Sequence, residues 1–186
     1  MTQRIITVHS SKLCEEIPNM RAGDRVLLSG VIYTARDAAH KEIRRLISAG
    51  LPLPFPLRGA AIYYAGPTPA SGNRPIGACG PTTSGRMDGF APDLYDLGLA
   101  ATIGKGERSS AVRVAIVRNG GVYLCAVGGA GALIARHIAD AEEVAFAELG
   151  CESVKRMTVD ALPLTVGIDC TGVDIFTIGR EAYRVG

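Results

Sequence analysis

Nine consecutive residues, Gly80-Pro81-Thr82-Thr83-Ser84-Gly85-Arg86-Met87-Asp88, gather three hydroxyls and a guanidinium on one glycine-flanked loop. Oxyanion lone pairs accept from backbone N–H groups, hydroxyls and forked Arg donors, so this set suits a carboxylate or a phosphate. Two further cations stand in similar settings: Arg36 within Tyr33-Thr34-Ala35-Arg36-Asp37, and Lys105 within Ile103-Gly104-Lys105-Gly106. Three separated cations point to a small ligand with more than one negative group. Plainer explanations compete. The hydroxyls of Thr82, Thr83 and Ser84 could cap a helix starting near Gly85, and Arg36 could sit on a solvated face. Arg86 one turn in, with glycines on both sides, shifts the balance toward anion binding. Lys105 gains nothing structural from its two glycines, whereas close backbone approach to a bound group explains both.

Other motifs carry less. Gly128-Gly129-Ala130-Gly131 follows a strand and precedes a helix, but Ile134 stands where a dinucleotide fingerprint needs its third glycine. A tight turn bringing backbone against a neighbour or a ligand fits better. His40, three positions past Asp37, fits a surface or supporting histidine better than a catalytic one. His9 and His137 carry no pattern. No P-loop, Gly-x-Ser-x-Gly or His-Glu-x-x-His is present.

These loops need elements to hold them. A strand is expected over Arg4 to Val8, within an alternating run that begins at Met1, and a short helix from Ser11 to Glu16. Asp24 to Tyr33 reads as β, bent or bulged near Ser29-Gly30. Ala39, Ile43, Leu46 and Ile47 recur at helical spacing, Asp37 suits a helix start and Gly50 a stop, predicting a helix over Asp37 to Ser48. The three prolines between Leu51 and Leu57 forbid helix there and predict an extended connector over the surface. A strand follows at Ala60 to Ala65, ending in the Gly66-Pro67-Thr68-Pro69 turn. Helices are expected from Asp93 to Gly98, Ser110 to Arg118 and Gly131 to His137, with a strand over Val122 to Val127. From Val144 onward the chain reads as mostly β, including Leu164 to Asp169. The mixed order argues for one α/β domain over residues 1–186 and against a simple doubly wound sheet.

Bulk properties narrow the class. The 186 residues are 47% hydrophobic and 20% charged, which is ordinary for a globular chain and unlike a disordered one. With 23 glycines, few aromatics and no Trp, tight turns are favoured over aromatic-paired sandwiches. A net charge of +2 without a basic run gives no basis for nucleic-acid binding. No apolar stretch is long enough to span a membrane, and the N-terminus lacks a signal-peptide block, so cytoplasmic residence is expected. Cys14, Cys79, Cys125, Cys151 and Cys170 are odd in number and far apart, which argues against disulfides and against a self-contained metal site. Each is expected to be a small buried thiol.

Three of these segments occur together in a known family. Thr34-Ala35-Arg36-Asp37-Ala38-Ala39-His40, the nine-residue loop, and Ile103-Gly104-Lys105-Gly106, in that order, resemble the β subunit of iron–sulfur class I fumarases and L-tartrate dehydratases, equivalent to the C-terminal domain of single-chain class I fumarases. The resemblance covers nearly the whole chain. It implies a three-layer β/β/α swivelling domain and a hydro-lyase interconverting (S)-malate and fumarate, or else tartrate and oxaloacetate. It implies a partner, a cognate α subunit whose cysteines hold a [4Fe–4S] cluster, with no metal ligand in this chain. Arg36, Thr82, Thr83, Ser84, Gly85, Arg86 and Lys105 would bind the dicarboxylate, and Thr82 would take the C3 proton with help from a carboxylate of the α subunit. A second copy of the same chain is a further candidate partner. From another class, a stand-alone dicarboxylate-binding module and a nucleotide-dependent enzyme using the Gly128 turn stay open.

Overall fold

The computed structural model describes residues 4–70, 72–182 and 184, so the first three residues of the expected N-terminal alternation lie outside it. The elements are β1 (Ile5–His9), α1 (Leu13–Glu16), β2 (Arg25–Thr34), α2 (Asp37–Ser48), β3 (Ala61–Tyr63), α3 (Ala91–Asp96), β4 (Ala101–Gly104), α4 (Ser110–Asn119), β5 (Val122–Cys125), α5 (Gly131–Ile134), β6 (Ile138–Ala145), β7 (Val154–Ile168) and α6 (Ile175–Ala182). Strands β1 to β5 pair in order and in parallel, and β7 joins antiparallel to β5, β6 and β2. Because β7 touches both β5 and β2, the sheet folds back on itself and its two layers enclose a core.

Side-chain alternation shows the layering. Ala61 and Tyr63, Ala101 and Ile103, and Val122 and Leu124 point into that enclosed core with Val26, Leu28, Leu164 and Val166. Their neighbours Ile62, Tyr64 and Tyr123 point the other way, against Ala39 and Ile43 of α2, Leu94 and Tyr95 of α3, and Val112 and Ile116 of α4. Strands buried on both faces must read as continuous apolar runs, which β3 and β5 do. The order is sheet, sheet, helix, matching the β/β/α expectation.

The bulge foreseen at Ser29-Gly30 is where β2 and β7 slip register: Leu28 faces Leu162, but Gly30 faces Val159. Two residues of β7 thus oppose one of β2, and Ala161 takes a left-handed φ of 46° with its N–H donating to Ser29 Oγ at 2.9 Å. Gly30 takes a φ of 100°, which strains any other residue, and a Cβ there would stand 2.5 Å from Ser10 Oγ.

Three expectations need correction. The 51–57 connector is irregular, as its prolines require, but it is not confined to the surface: Phe55 and Leu57 are buried, and Phe55 stacks on Tyr33 at 4.7 Å. Strand β6 begins six residues before Val144; as an edge strand paired only with β7 it carries polar residues that mask its periodicity. The C-terminal segment is not all β. Ile175, Phe176 and Ile178 favour strands, yet Asp174 accepts from the Phe176 N–H at 2.8 Å and starts α6. No helix among the described residues is long and apolar enough to cross a membrane.

Candidate functional site

Strands β2, β3, β4 and β5 lie side by side and parallel, so their carboxyl ends open onto one edge. Every motif singled out above leaves from that edge. Arg36 follows β2 by two residues, the Gly66 loop to the nine-residue segment follows β3, Lys105 follows β4 directly, and the Gly128 turn follows β5. Open α/β sheets place ligands there, because loops can converge while the strands hold their roots.

Backbone bonds fix the nine-residue loop. Pro81 bridges to Ala65; the Thr82 N–H donates to the Tyr64 carbonyl at 2.7 Å, and the Thr82 carbonyl accepts from the Lys105 N–H at 3.3 Å. The Ser84 N–H then donates to the Lys105 carbonyl at 2.9 Å. Thr83, which would cap the short 3-10 turn Ser84–Met87, makes no side-chain cap bond, so helix capping does not explain the hydroxyls. Thr82 is half-buried, while Thr83, Gly85 and Arg86 are exposed.

Ser84 is different. It is fully buried; its hydroxyl pairs with that of Tyr123 at 2.9 Å, and Tyr123 donates to the Gly106 carbonyl at 2.8 Å. A phenol has one proton, so Ser84 is the donor to Tyr123. Burial pushes the Tyr123 pKa up and keeps it neutral. Ser84 thus shapes the floor of the loop, whereas the sequence groups it with hydroxyls facing a ligand. Gly104 makes room for it: a Cβ there would stand 2.0 Å from Ser84 Oγ.

Beneath the loop lies Arg108, with no exposed side-chain surface, paired with Asp88 at 2.6 Å and bonded to Thr102 Oγ1 at 2.9 Å. Its guanidinium carbon is 5.3 Å from the Tyr64 ring centre and 5.0 Å from that of Tyr123. Nothing in Gly106-Glu107-Arg108-Ser109 distinguishes this cation from a surface one, so sequence reasoning misses it. Replacing Arg108 with Met should cost about 3 kcal/mol in urea unfolding, because it strands the part-buried Asp88 carboxylate. A loss below about 1 kcal/mol would show that Asp88 resolvates freely.

The other two cations flank α2. Arg36 precedes its first turn, with Nη2 3.4 Å from Glu152 Oε1, and lies so close to Gly66 that a Cβ there would meet Nη1 at 2.6 Å. Arg86 donates from Nε to Asp37 Oδ1 at 3.0 Å; its Nη2 is 2.7 Å from Oδ2, an ion-pair contact outside hydrogen-bond angles. Lys105 alone of the three has no acceptor for its ammonium among the described residues. Its chain runs along the Gly128 turn, with Cδ 3.3 Å and Nζ 3.7 Å from where a Gly128 Cβ would be. Gly131 packs likewise against Gly80, a Cβ there lying 3.0 Å from the Gly80 nitrogen. The glycine turn is therefore a wall of this site, and its Ile134 is buried in the core.

His40 is neither on the surface nor free. Its Nδ1 donates to the Arg36 carbonyl at 2.8 Å, and its ring packs against Tyr64 and Phe90. Burial is the largest influence and lowers its pKa from 6.5 to about 4. The folded state therefore prefers the neutral ring. Its stabilisation is full above 6.5 and is lost as pH falls from there toward 4, while the unfolded chain takes up the proton. Between pH 7 and pH 5 the protein should lose about 2 kcal/mol that His40→Gln does not lose. Equal losses in the two proteins, measured by urea titration, would contradict the burial of a neutral ring.

The thiols divide. Cys79 is buried, and burial pushes its pKa up to about 12, but Cys14 and Cys151 are exposed, against expectation. No group of three His, Cys, Asp or Glu side chains among the described residues could hold a metal ion.

The fold is an α/β domain that carries two arginines, a lysine and neighbouring hydroxyls on loops at the carboxyl edge of a folded-back sheet. The chain belongs to the fumarase C-terminus family, whose model matches residues 1–179. It is 37% identical over 169 residues to Fumarate hydratase 2 of Leishmania major, covering 89% of this chain and 30% of that protein. With the anaerobic class I fumarate hydratase of Escherichia coli it shares 39% identity over 154 residues, 82% of this chain and 28% of the relative. A provisionally named L(+)-tartrate dehydratase subunit beta of Methanocaldococcus jannaschii is 36% identical over 177 residues, 91% of each chain. The chain thus spans under a third of the fumarate hydratases and nearly all of the separate subunit.

Proposed function

We propose that this chain is, over residues 1–186, one β-subunit-type unit of a class I hydro-lyase that interconverts (S)-malate and fumarate with a separate α subunit. The ammonium of Lys105, which has no acceptor among the described residues and lies beside the Gly128 turn, carries the reading. An ammonium with no carboxylate of its own chain beside it is free to pair with a ligand, and a substrate carboxylate would supply that partner. Family membership supports the reaction class, and a relative that is itself named a subunit beta supports a partner chain. That same relative favours tartrate dehydration as the second reading, differing by one substrate hydroxyl.

Arg36, Arg86 and Lys105 would hold the two carboxylates, with Thr82, Thr83 and the backbone of Gly85 closing over the substrate. Ser84 would contribute by holding the loop in shape. Loss of the proton α to a carboxylate builds charge on that carboxylate, which fixed cations stabilise better than reorienting water. Thr82 would take the proton. Its hydroxyl has no basic partner among the described residues, and the resemblance to the family implies a carboxylate of the other subunit as the activating group. The described residues offer no ligand set for an iron–sulfur cluster, which we assign to the α subunit; when bound, it would supply a Lewis acid for the departing hydroxyl. We also place the enzyme in the cytoplasm, which cell fractionation tests.

Co-expression with the α subunit, followed by anaerobic assay with malate, fumarate and tartrate, tests the assignment. Faster turnover of malate than of tartrate is expected. Turnover of tartrate alone would move the protein to the second reading, and turnover of none would reject both.

A further inference from the structure

The three site cations differ in how they are held. Lys105 has no counter-ion among the described residues, whereas Arg86 and Arg36 each face a carboxylate of this chain, Asp37 and Glu152. Neither carboxylate is drawn from the nine-residue loop. Asp37 opens α2, and Glu152 comes from the turn before β7, where its other oxygen accepts from the Ala38 N–H at 2.9 Å. The first turn of α2 is thus tied down from behind by Glu152 and, through the Arg36 carbonyl, by His40.

The geometry at Arg86 is asymmetric. Asp37 engages the side edge of the guanidinium, Nε and Nη2, and leaves the end edge formed by Nη1 and Nη2 with donors to offer. A guanidinium held on one edge keeps its plane while the other edge takes a second carboxylate in a forked pair. The Arg86 side chain is 50% exposed and that of Asp37 28%, so the pair adds little to stability. What it can add is orientation, since a long exposed arginine otherwise loses rotamer freedom each time it binds.

We propose that Asp37 is a positioning residue for Arg86, setting the guanidinium plane so that its free edge meets a ligand carboxylate, with Glu152 doing the same for Arg36. This rests on the dicarboxylate reading above. It opposes the alternative that Asp37 competes with the ligand for Arg86, and the two predict opposite signs.

A double-mutant cycle in the assembled enzyme decides between them. Asp37→Asn should lower kcat/KM for the preferred acid by about 10- to 100-fold, mostly through KM, and Asp37→Glu should recover part of the loss. In an Arg86→Ala background, Asp37→Asn should change kcat/KM less than about threefold. An equal factor in both backgrounds, or a lower KM in Asp37→Asn, overturns the proposal. A second arm needs no turnover and so separates failure here from failure of the hydro-lyase reading. The Arg86 Nε–H resonance of the full chain is followed by NMR as inorganic phosphate is added. It should shift in the natural protein and respond at least tenfold more weakly in Asp37→Asn; equal responses refute the positioning role whatever the enzyme turns over.

Discussion

Thr82→Val in the assembled enzyme should lower kcat by about 10³-fold or more while leaving subunit association unchanged. The substitution keeps the branched shape and removes the hydroxyl. Thr82 is anchored by main-chain bonds to Tyr64 and Lys105, neither of which involves its side chain, so the loop should keep its course. Size-exclusion chromatography reports the association and an anaerobic malate assay the rate. A kcat within tenfold of the natural enzyme would remove Thr82 from proton transfer. Thr82→Ser offers a complement: it returns the hydroxyl without the methyl and should recover much of the rate.

The second large effect is at Lys105. Lys105→Met retains the chain that lies along Gly128 but deletes the ammonium. We expect kcat/KM to fall by about 10³-fold, equivalent to about 4 kcal/mol, because the lost charge is the one without an internal substitute. The folded chain should keep its stability, since the ammonium makes no ion pair or hydrogen bond with the described residues. A decrease under fivefold, or a clear loss of thermal stability, would mean that Lys105 serves the fold instead.

Much of the backbone around the candidate site was legible before any coordinates, and the reasons are local. Helix α2 has its start, stop and buried stripe written in Asp37, Gly50, Ala39 and Ile43, all within one short segment. The bulge at Gly30 and the glycine-framed loops are legible for the same reason: backbone that must bend or approach closely excludes side chains. What could not be read depends on contacts between distant segments. Strand β7 closes the sheet by pairing with β2 across more than a hundred residues, and no period within either strand encodes that choice. Arg108 looks like any surface cation until Tyr64, Tyr123 and Asp88 surround it. Asp37 reads as a helix start, and only the fold shows that it faces Arg86. The exposed thiols of Cys14 and Cys151 likewise follow from packing that residue type alone does not specify.

The proposed half-site is tested most directly by assaying the purified chain with malate, fumarate and tartrate under anaerobic conditions, alone and after addition of a cluster-bearing α subunit. No turnover alone and rapid turnover once the partner is present is the predicted result. Full-rate dehydration by the isolated chain would contradict it.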